Sequence, residues 1–182
     1  MLPITIPEGD VYDETTERFI HIKETKLQLE HSLISLSKWE SKWCKPFLSQ
    51  DTQKTPEQNI DYIRCMTINQ NVDPNAYYGI TPAQLKEIAD YINAPMTATW
   101  FSEDKTKAKK NKEIITNELI YYWMVALQIP FECEKWHINR LLTLIRVCDV
   151  KNQPAKKMSK SDILSRNKSL NAARRMASGS RG

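Results

Sequence analysis

The sequence predicts a mainly α protein of the α+β class. A small N-terminal β-hairpin leads into a helical bundle with a central antiparallel helix pair, and a basic C-terminal helix or arm follows. Three observations carry this reading. Apolar and polar residues alternate only near the N-terminus, as in Leu2, Ile4 and Ile6, then Ile20 and Ile22, then Leu27 and Leu29. Beyond Glu30 the apolar residues recur at intervals of three and four, and Thr55-Pro56 and Thr81-Pro82 are hydroxyl–proline helix starts. From Lys151 to Gly182, nine basic residues face a single acid, Asp162, so this segment carries about +8 of a whole-chain charge of +4 and residues 1–150 carry about −4.

Taken in order, Leu2, Ile4 and Ile6 sit between Pro3, Thr5 and Pro7, which suits an edge strand or an extended arm because proline donates no ladder hydrogen bond. The alternations on either side of Glu24-Thr25 predict one hairpin over Arg18–Glu30. A helix from His31 to about Lys45 places Leu36, Trp39 and Trp43 on one side and stops at Pro46. Thr55-Pro56-Glu57-Gln58 opens the next, with a hydroxyl cap and a glutamine three residues on, and Asn71-Val72-Asp73-Pro74 ends it. Thr81-Pro82-Ala83-Gln84 repeats that start, and Leu85, Ile88, Ala89 and Ile92 form an amphipathic stripe up to Ala94-Pro95.

A long loop through about Lys110 follows, with a basic second half. Two apolar helices then carry the stripes Ile115, Leu119, Tyr122, Trp123, Ala126 and Ile138, Leu141, Leu142, Ile145, Cys148, which are predicted to face each other. Asn152-Gln153-Pro154 is a linker, after which Ser159 caps a final helix with only Ile163 and Leu170 as large apolar residues in its capped run. Such a thin stripe does not fold alone, so the helix is expected to dock or to order on a partner. The domain reading is one α-rich domain over 1–150 and a basic tail over 151–182.

Several function classes fit poorly. The four glycines, Gly9, Gly79, Gly179 and Gly182, never cluster, which argues against the common glycine-rich nucleotide loops. Cys44, Cys65, Cys133 and Cys148 form no CxxC pair and read as reduced intracellular thiols, and no signal peptide precedes them. The longest apolar run, Leu119 to Leu127, is far below the roughly 20 residues a membrane span needs, so no membrane role is expected. Cys133 and His137 share a helix-like spacing but lack the further ligands of a tetrahedral metal site. A Cys/His nucleophile pair drawn from Cys65 or Cys133 has no supporting pattern, and Glu113 and Glu118 read as dipole-favoured acids at a helix start. The expectation is a protein that is not an enzyme, with no metal and no cofactor.

The partner-binding candidates lie elsewhere. Trp100 and Phe101 form an aromatic pair in the long loop, weighed equally as a packed anchor and a contact patch. Lys105 and Lys107 in that loop, and Lys156, Lys157, Arg166, Arg174 and Arg175 in the tail, offer charge to an acidic partner. The tail has no interleaved aromatics, so a base-stacking platform is not supported and nucleic acid is the weaker partner class.

Five strings carry a resemblance: LSKWESKW at 36–43, PMTATWF at 95–101, EIITNELIYYW at 113–123, PFECEKWH at 130–137 and SLNAARR at 169–175. Together they resemble small proteins encoded in the structural-gene cluster of tailed bacteriophages, and most closely a phage tail assembly chaperone, over most of residues 29–175. That resemblance implies a non-enzymatic protein of the host-cell cytoplasm, made alongside the major tail protein and the tape measure protein. It would bind the apolar tape measure, help recruit tail-tube subunits and need no cofactor; self-association is a separate expectation for this chain. Two alternatives stay open: a structural virion protein of the tail or neck, and a phage DNA-associated protein that uses its basic tail on phosphates.

Overall fold

In a computed structural model, which describes residues 1–13, 17–49, 53–101, 114–152 and 160–179, the protein is mainly α with a small antiparallel β element at its N-terminus, an α+β arrangement. The strands β1 (Leu2–Ile6), β2 (Gly9–Asp13), β3 (Arg18–Ile22) and β4 (Thr25–Leu29) form two separate two-stranded ladders. β1 runs antiparallel to β4, with Leu2 opposite Leu29 and Ile4 opposite Leu27, and β2 runs antiparallel to β3. This corrects the hairpin expected over Arg18–Glu30: its two halves are β3 and β4, and each pairs with an earlier strand. The Lys23-Glu24 connection lacks the Asn-Gly or Asp-Gly chemistry of a two-residue hairpin turn. The register of β1 on β4 instead puts Ile4, Ile6, Leu27 and Leu29 on one buried face, and a one-residue slip would expose all four.

The outer edge of β4 is not left open. The Glu30 N–H donates to the Met66 carbonyl at 2.9 Å and the Ile68 N–H to the Gln28 carbonyl at 2.9 Å. On β1, the Thr5 carbonyl accepts from Gln84 Nε2 at 2.7 Å. Both ladders also contact a 3-10 helix over Pro74–Gly79. A Cβ at Gly79 would lie 2.9 Å from Ile6 Cγ2 and 3.0 Å from Ile22 Cδ1, so this approach admits only glycine without a shift in the core.

Five helices complete the described part of the larger unit: α1 (Leu33–Trp43), α2 (Pro56–Met66), α3 (Pro82–Asn93), α4 (Asn117–Ala126) and α5 (Ile138–Asn152), the last running past the unit's end at Asp149. The starts of α2 and α3 are capping boxes, Thr55 with Gln58 and Thr81 with Gln84, as the sequence predicts. α1 begins with the analogous box Ser32–Ser35 and ends on Cys44 in the left-handed region, φ 50°. The first turn of α5 is held by the Ile138 N–H, which donates to the His31 carbonyl at 2.7 Å.

The closest helix packing is α1 on α2, followed by α1 on α4. α4 and α5 contribute to the same core but have no comparable mutual packing, so the centre expected between the Ile115 and Ile138 stripes lies at α1. The face of α4 also differs from the expected stripe. Ile120 and Met124 are buried, whereas Tyr122 and Ala126 are exposed. A helix reading ELIYYWMVA is apolar on every side, so periodicity leaves its rotation undecided.

Glu40 decides that rotation. Its carboxylate, buried on α1, accepts from the Asn117 backbone N–H at 2.8 Å and from Asn117 Nδ2 at 2.6 Å, while its other oxygen accepts from the Phe47 N–H at 2.7 Å. One acid thus ties α1 to the turn at Phe47 and to the start of α4.

A second unit, Val150–Gly182, contains α6 (Lys160–Ser178). Its described side chains are exposed along the whole helix, including Ile163 and Leu170. The expected cap Ser159 lies outside the described residues.

Candidate functional site: a cleft between α2 and α3

α2 and α3 stand apart instead of packing along their lengths, and the space between them is a cleft of about 760 Å³. One wall is Ile60 and Ile63 of α2, and the other is the predicted amphipathic stripe of α3, Leu85, Ile88, Ala89 and Ile92. Only Ile88 of that stripe is fully buried; Leu85 is 38% exposed and Ala89 is open to solvent. A stripe at i, i+3, i+4 and i+7 is the face a helix normally buries against another element, so its exposure marks an unfilled packing position.

The far end of the cleft is built by an aromatic cluster. Phe47 stacks on Tyr62 with ring centroids 3.8 Å apart, and Trp39 meets Phe47 edge-on at 5.1 Å. Trp39 is held from below, its Nε1 donating to the Gln58 carbonyl at 2.9 Å. His31 lines the cleft beside these rings, 6.2 Å from Phe47, with Nδ1 hydrogen-bonded to the Tyr62 hydroxyl at 2.5 Å. Burial, reinforced by the neighbouring His137, pushes the His31 imidazole down from 6.5 to about 3, so it is neutral near pH 7. Burial also drives the Tyr62 hydroxyl well above its ordinary range.

His137 is fixed differently. Its Nε2 donates to the Tyr91 carbonyl at 3.0 Å and its Nδ1 accepts from the Asn139 N–H at 3.3 Å, which requires the neutral tautomer with the proton on Nε2. With both ring nitrogens engaged, His137 has no lone pair for a metal, and Cys133 is buried on a 3-10 helix over Phe131–Lys135 with its thiol raised chiefly by burial. Among the described residues no cluster of three or more His, Cys, Asp or Glu side chains fits a metal ion. Cys65 likewise has its thiol raised by burial and by Asp61. Glu118 is exposed, and its carboxyl is lowered first by its own backbone N–H and then by Thr116, the dipole-favoured role expected of it. Glu113 lies outside the described residues.

One cation reaches the cleft. Lys54 lines it, with Nζ 4.2 Å above the centroid of Phe47. Burial lowers its pKa. Among the described residues its ammonium has no hydrogen-bond or ion-pair partner.

The residues singled out from sequence are scattered. Trp100 is 91% exposed, while its neighbour Phe101 is partly covered by the Arg146 guanidinium 4.1 Å from the ring, so the aromatic pair divides into one free ring and one anchored ring. Arg166, Arg174 and Arg175 lie exposed on α6. Lys105, Lys107, Lys156 and Lys157 lie outside the described residues. None of the described residues expected to bind a partner lines the α2–α3 cleft. Sequence reasoning missed Lys54 and His31; the one visible signal is the amphipathic stripe of α3, which does not say what covers it.

Comparison with protein-family models, with curated proteins and with solved structures finds no match to this chain. Among the described residues no helix is long and apolar enough to cross a membrane.

Proposed function

We propose that this protein is a binding module for another chain, receiving an apolar helical segment of its partner in the α2–α3 cleft. Its resemblance to tailed-phage proteins makes the tape measure protein the first partner to test and the major tail protein the second, in the role of a non-enzymatic tail assembly chaperone. The observation that supports this reading is the uncovered stripe of α3 facing α2 across an apolar cleft of about 760 Å³. A third helix laid there would meet Ile60 and Ile63 on one side and Leu85, Ala89 and Ile92 on the other. His31, at the Phe47 end of the cleft, is neutral at pH 7, so the imidazole there does not oppose an apolar guest.

The test is co-expression with a tape measure protein. The full chain should keep the tape measure soluble, and Leu85→Arg, at a half-exposed cleft position, should reduce that yield while leaving the helical circular dichroism intact. Equal solubilisation by the two chains rejects the cleft as the binding surface. A chaperone is also expected to be absent from mature virions by mass spectrometry.

The exposed arginines of α6 favour a second reading, a DNA-associated or virion component held by its basic helix. Binding to unrelated duplex DNA as strong as binding to the tape measure would select it.

A further inference from the structure

Lys54 is out of keeping with the rest of the cleft. An ammonium partly withdrawn from water normally finds a carboxylate or a set of carbonyls, because its desolvation is otherwise uncompensated. Here its described interaction is with the face of Phe47, a weaker substitute for an anion. Among the described residues its neighbours in the cleft supply no acid: the other polar lining residues are His31, Ser49, Asn59, Tyr62, Asn93 and Asn139. Beside Phe47, His31 is only 1% exposed, and its Nδ1 is taken by Tyr62. A cleft that is apolar along its walls thus has, at its Phe47 end, a cation with no anionic partner among the described residues.

We infer that the cleft is built for an amphipathic helix whose apolar stripe is interrupted by one acidic side chain, and that this carboxylate docks on Lys54. The inference rests on the cleft being the partner-binding surface and adds what selects the partner. Charge complementarity commits the site to this occupant. The basic helix α6 of a second copy, with Arg174 and Arg175 exposed, would bring like charge to Lys54. A wholly apolar helix would leave the ammonium desolvated and unpaired, whereas a carboxylate would exchange the cation–ring contact for a charge-assisted hydrogen bond. The walls favour a helix over a small amphiphile: Leu85 to Ile92 spans two turns of α3, and Ile60 and Ile63 run beside them on α2. Selectivity would then follow from rejection, since a guest with leucine or lysine at the Lys54 position leaves a buried charge uncompensated.

The experiment is a displayed library of 18-residue helical peptides with a fixed leucine stripe and one central stripe position randomised over all residues, selected on the full-length chain. Glu and Asp should be enriched at that position. A synthetic peptide with Glu there should bind about tenfold more tightly than its Gln counterpart. Lys54→Met, which keeps the apolar stem over Phe47, should remove both the enrichment and the Glu/Gln difference. Peptides that bind, lose binding on Leu85→Arg, and yet show no acid enrichment, or keep it with Lys54→Met, overturn the inference and leave the cleft reading standing. Absence of any binding that Leu85→Arg diminishes overturns both.

Discussion

His31 carries no sequence motif, yet it lies against Phe47, Tyr62 and His137 with its carbonyl holding the first turn of α5. Its pKa is depressed from 6.5 to about 3, so between those values the unfolded chain binds a proton that the folded chain refuses. Stability contributed by neutral His31 is therefore fully present above about pH 6.5 and is lost as the pH falls toward 3. His137 is shifted in the same direction, again chiefly by burial, and adds to the effect. Urea midpoints at about pH 7 and about pH 5.5 should show the wild type losing on the order of 1 kcal/mol or more from this source, and His31→Gln losing less. An identical pH dependence in the two chains would show that His31 does not carry it.

Glu40 poses the opposite case, a charged residue whose value is its geometry. Removing the side chain in Glu40→Ala strands three donors, the N–H groups of Phe47 and Asn117 and the Asn117 amide. A loss of about 3 kcal/mol is expected from chemical denaturation, with the start of α4 loosened. A loss within about 0.5 kcal/mol, the range of an ordinary surface change, would mean that water replaces the carboxylate at no cost.

At the scale of elements, α2 and α3 were readable in advance because their starts are local: each hydroxyl accepts from a backbone N–H three residues on. α4 was readable as a helix but not in its orientation, since an all-round apolar segment contains no periodic instruction and Asn117 takes its setting from Glu40, 77 residues away in sequence. The N-terminal strands were readable as strands but not as partners, because alternation names a buried face and not the neighbour across the ladder.

The prediction at this scale concerns α6, whose described side chains are all solvent-facing. Truncation after Asn152, which retains α5 whole, should leave the melting midpoint of the remaining chain unchanged. It should remove the salt-sensitive part of partner binding, since exposed charges are screened over about 10 Å at 0.1 M salt. A large fall in the melting midpoint would make α6 part of the fold.

For the whole molecule, composition and spacing alone determined the mainly α class, the capped starts of α2 and α3 and the basic character of the C-terminal segment. Each depends on residues within one or two turns of one another or on simple counting. The cleft was decided only by tertiary structure. The α3 stripe reads as core in any sequence window, and it becomes a surface because α1 draws α2 toward itself through Asp61, which bonds Lys42 Nζ and Trp43 Nε1, while Asn139 holds the end of α3 through the Ile92 and Ala94 carbonyls. Those ties connect residues 18 to 47 positions apart. No local pattern encodes them, because the separation of two helices is set by what each is fastened to and not by the faces they present.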